Sequence, residues 1–122
     1  MTTVLVVDDL TDMTTTLQRV LEFHGFKVLT AADGILALRC LRQHSVDLMI
    51  LDVHLPNMDG LEVLQELHTS NLAPKIIAMS GGGRTADYGI LDVAARLGAD
   101  ATLRKPFTMK ELLAVVNGFV QA

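Results

Sequence analysis

Five short apolar runs recur along the chain: TVLVVD (residues 3–8), KVLTA (27–31), DLMILD (47–52), KIIAMS (75–80) and ATLR (101–104). Each is bounded by turn or charged residues, and several are apolar without interruption, the pattern of parallel strands covered on both faces. Helical periodicity fills the gaps. In DMTTTLQRVLEFHG, Met13, Leu17, Val20, Leu21 and His24 share one stripe, which stops at Gly25, a suitable residue just past a helix end. DGILALRCLRQH follows Asp33 as an N-cap, with Ala37, Leu38 and Leu41 facing inward. LEVLQELHTS begins after Asp59-Gly60, and ADYGILDVAARLG ends at Gly98. In TMKELLAVVNGFV, Thr108 and Glu111 have capping-box spacing, which predicts a helix starting at Met109.

Strand and helix therefore alternate five times, with no repeat and no linker. Short βα connections of this kind give a parallel sheet with right-handed crossovers and helices on both faces. The expected fold is α/β and doubly wound: a flavodoxin-like five-stranded sheet in the order 2-1-3-4-5 with five helices, all 122 residues forming one domain. In that order the first and third strands are neighbours and the winding reverses between them. This opens a crevice at the carboxyl ends of the strands. Asp8 and Asp9 follow the first strand there, Asp52 ends the third, Ser80 ends the fourth and Lys105 follows the fifth.

Three gathered carboxylates repel one another by about 4 kcal/mol per pair at about 4 Å and an effective dielectric near 20, so something positive must offset them. Carboxylate and carbonyl oxygens suit Mg²⁺, and Lys105 supplies a charge on a flexible stem suited to phosphate oxygens. An acid beside a divalent ion, facing a lysine and a hydroxyl, is equipped to attack or hold a phosphoryl group.

These residues fall in VLVVDD (4–9), LMILDVHLPNMDG (48–60), AMSG (78–81) and LRKPF (103–107), in order and with spacing that resembles the receiver domain of two-component response regulators. The chain is similar over essentially its full length to the single-domain chemotaxis regulator. The resemblance implies that Asp52 accepts a phosphoryl group from a histidine-kinase phosphohistidine or a small phosphodonor. It implies direct Mg²⁺ binding by Asp9, mostly water-mediated binding by Asp8, and further ligands from Asp52 and the backbone carbonyl of His54. Lys105 would contact the phosphoryl oxygens, and Ser80 would swing toward them as the switch hydroxyl. Such a domain is a phosphoacceptor that assists its own phosphorylation and dephosphorylation rather than an enzyme. Its expected partners are a histidine kinase or phosphotransfer protein and, through the face of the fourth helix, fifth strand and fifth helix, a downstream protein or a second copy.

Two departures from the family stand out. The position three residues before the lysine, often an aromatic ring that turns inward on activation, is Thr102, and the stretch from Ser80 to Gly98 is longer than in the chemotaxis regulator. With Gly81, Gly82 and Gly83 directly after Ser80, the expectation is a switch carried by ordering of residues 81–88, with Tyr88 substituting for the missing ring. The bond before Pro106 is left open between cis and trans.

Other readings compete at these positions. Asp8 or Asp9 can cap a helix starting near Leu10, and Pro56 and Gly60 read as turn punctuation. The His54 side chain, without a second His or Cys at ligand spacing, reads as neither base nor metal ligand. An aspartate-nucleophile phosphohydrolase would use similar groups, but the acid such enzymes carry two residues on is here His54. A flavin or nucleotide binder would share the sheet, with SGGGR (80–84) cradling a phosphate.

A formal net charge of −4 argues against direct nucleic-acid contact. MTTVLVVDD has neither the apolar length nor the basic flank of a signal peptide, and no apolar stretch is long enough to span a bilayer. With Cys40 alone and read as a packing residue, a cytoplasmic protein is expected. The expectation is a stand-alone or an excised receiver, without an output segment after Ala122. In the last helix Met109, Leu113 and Val120 are apolar beyond the inner stripe of Leu112, Val116 and Phe119, so they either pack further or dock a partner.

Overall fold

The computed structural model describes residues 1–70, 72, 74–81 and 89–120. Five strands alternate with five helices: β1 (Thr3–Val7), α1 (Thr11–Phe23), β2 (Lys27–Ala31), α2 (Gly34–Gln43), β3 (Leu48–Asp52), α3 (Gly60–His68), β4 (Lys75–Gly81), α4 (Ile90–Arg96), β5 (Ala101–Lys105) and α5 (Met109–Val120). All strand pairs are parallel, in the order β2-β1-β3-β4-β5. The expected doubly wound, flavodoxin-like sheet is the one that forms. Among the described residues, no helix is long and apolar enough to cross a membrane.

Burial follows position in the sheet. Every residue of β1 and β3 is buried, whereas the edge strands β2 and β5 alternate between covered and open positions. Because side chains point alternately to the two faces of a strand, the continuous apolar runs feed two separate cores. Leu5, Val7, Met49, Leu51 and Ala78 pack against Leu38 and Leu41 of α2, Leu64 of α3 and Ala94 of α4. Val4, Val6, Ile50, Ile77 and Met79 pack against Leu17 and Leu21 of α1 and Leu112 and Val116 of α5. With both faces sealed, the open ends of the strands are left for chemistry.

Local signals set most helix ends. Asp33 accepts from Leu36 N at 2.8 Å at the start of α2, and Asp59 and Glu62 form a reciprocal capping box on α3. Thr108 and Glu111 do the same on α5. Past α1, Gly25 has φ +91°, the left-handed conformation that ends a helix. The α4 helix starts later than its apolar pattern suggests, because Gly89, at φ +85°, is outside helical space and becomes its cap.

Several expectations shift. β4 extends to Gly81 and β5 to Lys105, so Lys105 ends its strand rather than following it, while Asp8 follows β1 as expected. His24 is exposed instead of sharing the buried stripe, since it lies past the last helical residue and its Nδ1 is 2.9 Å from Val20 O. Gly60 does more than punctuate a turn: a Cβ there would lie 2.6 Å from both the carbonyl oxygen of Asp52 and the Cα of Val53. Only a glycine lets α3 begin against the end of β3. Met109, Leu113 and Val120 are half-buried and pack against the core beneath α5.

Candidate phosphoacceptor site

The parallel register brings the carboxyl ends of the central strands level. Val7 pairs with Leu51 and Asp52 with Met79, so Asp8, Asp52 and Ser80 emerge at one edge of the sheet. Gly81 pairs with Lys105 on β5. From there the lysine reaches past β4 to the acids, and its Nζ donates to Asp8 Oδ2 at 2.8 Å and to Asp52 Oδ2 at 2.9 Å. One ammonium thus joins the ends of β1, β3 and β5. The Lys105-Pro106 bond that follows is cis.

The remaining oxygens of the two buried acids are also engaged. Asp8 Oδ1 accepts from Leu10 N at 2.9 Å, and Asp52 Oδ1 accepts from His54 N at 2.9 Å. The helix-capping alternative for Asp8 is therefore met only in part: it holds Leu10 N, while Leu10, the residue before α1, makes no side-chain cap bond. Thr14 Oγ1 donates to the Asp8 carbonyl at 3.2 Å, fixing α1 to the same corner. Asp9 stays exposed.

Burial pushes the Asp52 carboxyl above the ordinary carboxylate range, helped by the neighbouring Asp8 charge and opposed by the His54 N–H and by Lys105. Lys105 is drawn down by burial, but its hydrogen bonds to Asp8 and Asp52 and their charges outweigh that and leave it raised. The ammonium therefore stays charged across the physiological range.

Asp8, Asp9 and Asp52 each offer a carboxylate oxygen, all within 4.8 Å of one another. Hard oxygen donors at that separation suit a small divalent cation such as Mg²⁺. Ser80, at the end of β4, is 1% exposed, and its Oγ lies 3.4 Å from Nε2 of His54. Sequence reasoning set the His54 imidazole aside; its link to Ser80 is a long-range contact for which the chain carries no local signal. The loop between β3 and α3 is tied down at Asn57, in the left-handed region at φ +66°, whose Nδ2 donates to Asp33 Oδ2 at 2.8 Å.

Thr102 is exposed on β5 and Gly81 is exposed at the end of β4. Gly82, Gly83 and Tyr88, with most of the SGGGR segment and of the expected switch segment 81–88, lie outside the described residues.

A family model, the response regulator receiver domain, matches residues 4–117. The chain belongs to that family. Among curated relatives of this receiver, the transcriptional regulatory protein CpxR of Klebsiella pneumoniae is 37% identical over 121 residues, covering 99% of this chain and 50% of its own. The alkaline phosphatase synthesis transcriptional regulatory protein PhoP of Bacillus subtilis is 36% identical, covering 97% of this chain and 48% of its own. The chain thus spans about half the length of the curated relatives it matches. Among solved structures, a receiver domain from Clostridium thermocellum superposes with a TM-score of 0.88 at 29% identity, covering 98% of this chain and 94% of its own. The response regulator TrrA of Thermotoga maritima, in complex with Mg²⁺ and BeF, has a TM-score of 0.85 at 30% identity, covering 98% of this chain and 100% of its own. The receiver domain of a Pseudomonas aeruginosa sensor histidine kinase, solved with a magnesium ion in its active site cleft, has a TM-score of 0.87 at 25% identity over 99% of this chain and 98% of its own.

Proposed function

We propose that this receiver is a phosphoacceptor switch in which Asp52 takes a phosphoryl group from the phosphohistidine of a histidine kinase or phosphotransfer protein, or from a small phosphodonor. The observation that carries the reading is the shared ammonium: Lys105 Nζ lies within 2.9 Å of one oxygen each of Asp8 and Asp52 in a buried pocket. In the transfer, an Asp52 oxygen forms a bond to phosphorus while the phosphorus–nitrogen bond of the donor breaks. The donor imidazole, protonated on its other nitrogen, leaves neutral, and an acyl phosphate remains on Asp52.

Lys105 offsets the charge that the phosphoryl group adds, and the Ser80 hydroxyl donates to one of its oxygens. The residues that would hold Mg²⁺ are Asp9 directly, Asp8 through water, Asp52, and the backbone carbonyl of His54. Both Asp8 oxygens already accept hydrogen bonds, which suits an indirect role, and exposed Asp9 has room for a direct one. Bound there, the ion would supply positive charge to the phosphoryl oxygens. The magnesium-containing relatives support this use of the pocket.

The output we assign to the face of α4, β5 and α5, with Gly81 and Thr102 on the route from Ser80 and a downstream protein or a second copy as its partner. Residues 1–122 act as one receiver unit in the cytoplasm, without direct contact to nucleic acid, consistent with the net charge of −4.

Incubation with acetyl phosphate and Mg²⁺ tests the chemistry. The wild type should acquire a hydroxylamine-sensitive label, Asp52→Asn should acquire none, and Asp9→Ala should be strongly impaired. An undiminished label on Asp52→Asn would place the acceptor on another residue.

A further inference from the structure

The contact between Ser80 and His54 has no part in the chemistry just described, yet it occupies the hydroxyl that the chemistry needs. Ser80 is buried near the end of β4, and its Oγ lies 3.4 Å from Nε2 of His54. The imidazole is rooted to the acceptor itself, because the His54 backbone N–H donates to Asp52 Oδ1 at 2.9 Å. His54 is exposed and lines a depression shared with Asp9, Pro56 and Ile90. A serine hydroxyl has a single hydrogen on one rotor, so it cannot donate to an imidazole nitrogen and to a phosphoryl oxygen at once.

We infer that His54 is a positioning residue that latches Ser80 in the resting state: Nε2 accepts the Ser80 hydrogen, and a phosphoryl group on Asp52 must compete for it. This rests on the phosphoacceptor reading and adds a regulatory element to it. The imidazole is then the Nδ1–H tautomer, with Nε2 as acceptor. His54 sets how far the switched form is favoured once Asp52 is occupied, without itself touching the phosphoryl group.

Two measurements test the latch. The first uses the protein without any ligand: ¹⁵N NMR of the histidine side chains should show His54 Nε2 unprotonated, and its resonance should move in Ser80→Ala. A hydrogen on Nε2, or a resonance indifferent to Ser80→Ala, overturns the inference. The second is the affinity for beryllofluoride, a mimic of the bound phosphoryl group, in saturating Mg²⁺. Losing one competing hydrogen bond should tighten binding about three- to tenfold in His54→Ala. His54→Gln, which can return an acceptor to the same region, should move back toward wild type. In a Ser80→Ala background, His54→Ala should change nothing, which separates a latch from an effect of pocket shape or access. Unchanged or weaker binding in His54→Ala, or an equal gain without the Ser80 hydroxyl, contradicts the latch while leaving the acceptor assignment standing. If wild type and Asp52→Asn bind beryllofluoride equally, the acceptor reading fails, and the latch with it.

Discussion

Exchanging Asp52 for asparagine removes one negative charge from a pocket of carboxylates while keeping its shape, and the structure allows the effect on folding to be worked through. Asp52 shares the pocket with Asp8 and Asp9, whose oxygens come within 4.8 Å. The pair with buried Asp8 costs about 3.5 kcal/mol at an effective dielectric near 20, and the pair with exposed Asp9 less because solvent screens it. Against these two repulsions stands Lys105 at 2.9 Å, an attraction of about 6 kcal/mol on the same scale. The charges nearly cancel, so loss of water decides the sign, and burial is the largest influence on the raised Asp52 carboxyl. Without Mg²⁺ at neutral pH, Asp52→Asn should therefore stabilise the fold by about 1–2 kcal/mol.

The pH dependence follows from that direction. A carboxyl raised on folding contributes stability below its ordinary value and loses it as pH climbs through the raised value. The variant's advantage should be absent below the ordinary carboxylate range, where Asp52 is protonated like an amide, and should grow to a plateau above the raised value. Mg²⁺ should stabilise the wild type preferentially and shrink or reverse the gap. Urea titrations at stepped pH, with EDTA or with Mg²⁺, read all three effects. A less stable Asp52→Asn at neutral pH in EDTA, or a gap that persists at acid pH, would refute this account of the pocket.

Two packing predictions accompany it. Gly60→Ala drives a Cβ to 2.6 Å from the backbone at Asp52 and Val53, which should cost about 2–3 kcal/mol in urea denaturation and slow acetyl phosphate labelling by displacing Asp52. Leu113→Glu introduces a charge where α5 packs half-buried on the core, and should lower stability by about 1–2 kcal/mol in the same assay; an unchanged midpoint would restore the view that this residue serves only to dock a partner.

The two-sided parallel sheet was legible because burial on both faces leaves a direct trace: LVV and LMIL are apolar without alternation, as covered parallel strands are, whereas the strand order came with the flavodoxin-like fold class. The caps at Asp33 and Thr108 were legible because their partners lie three residues away, whereas the capping box at Asp59 and Glu62, at the same spacing, was not read. The acids and Lys105 could be placed together by topology alone, since each ends or follows a strand. What local pattern did not carry were contacts across long stretches of chain. The close approach of Gly60 to Asp52, the bond from Asn57 to Asp33 and the His54–Ser80 contact depend on where loops settle. His24 was misplaced for a local reason, since the helical stripe was extended one residue beyond the point where the chain leaves the helix.

Whether Asp52 carries the phosphoryl group is read by reducing the phosphorylated protein with borohydride and mapping the product by peptide mass spectrometry. Borohydride converts an aspartyl acyl phosphate to homoserine and leaves free carboxylates intact. Homoserine is expected at position 52, dependent on both phosphodonor and Mg²⁺; homoserine at Asp8 or Asp9, with Asp52 recovered unchanged, would overturn the assignment.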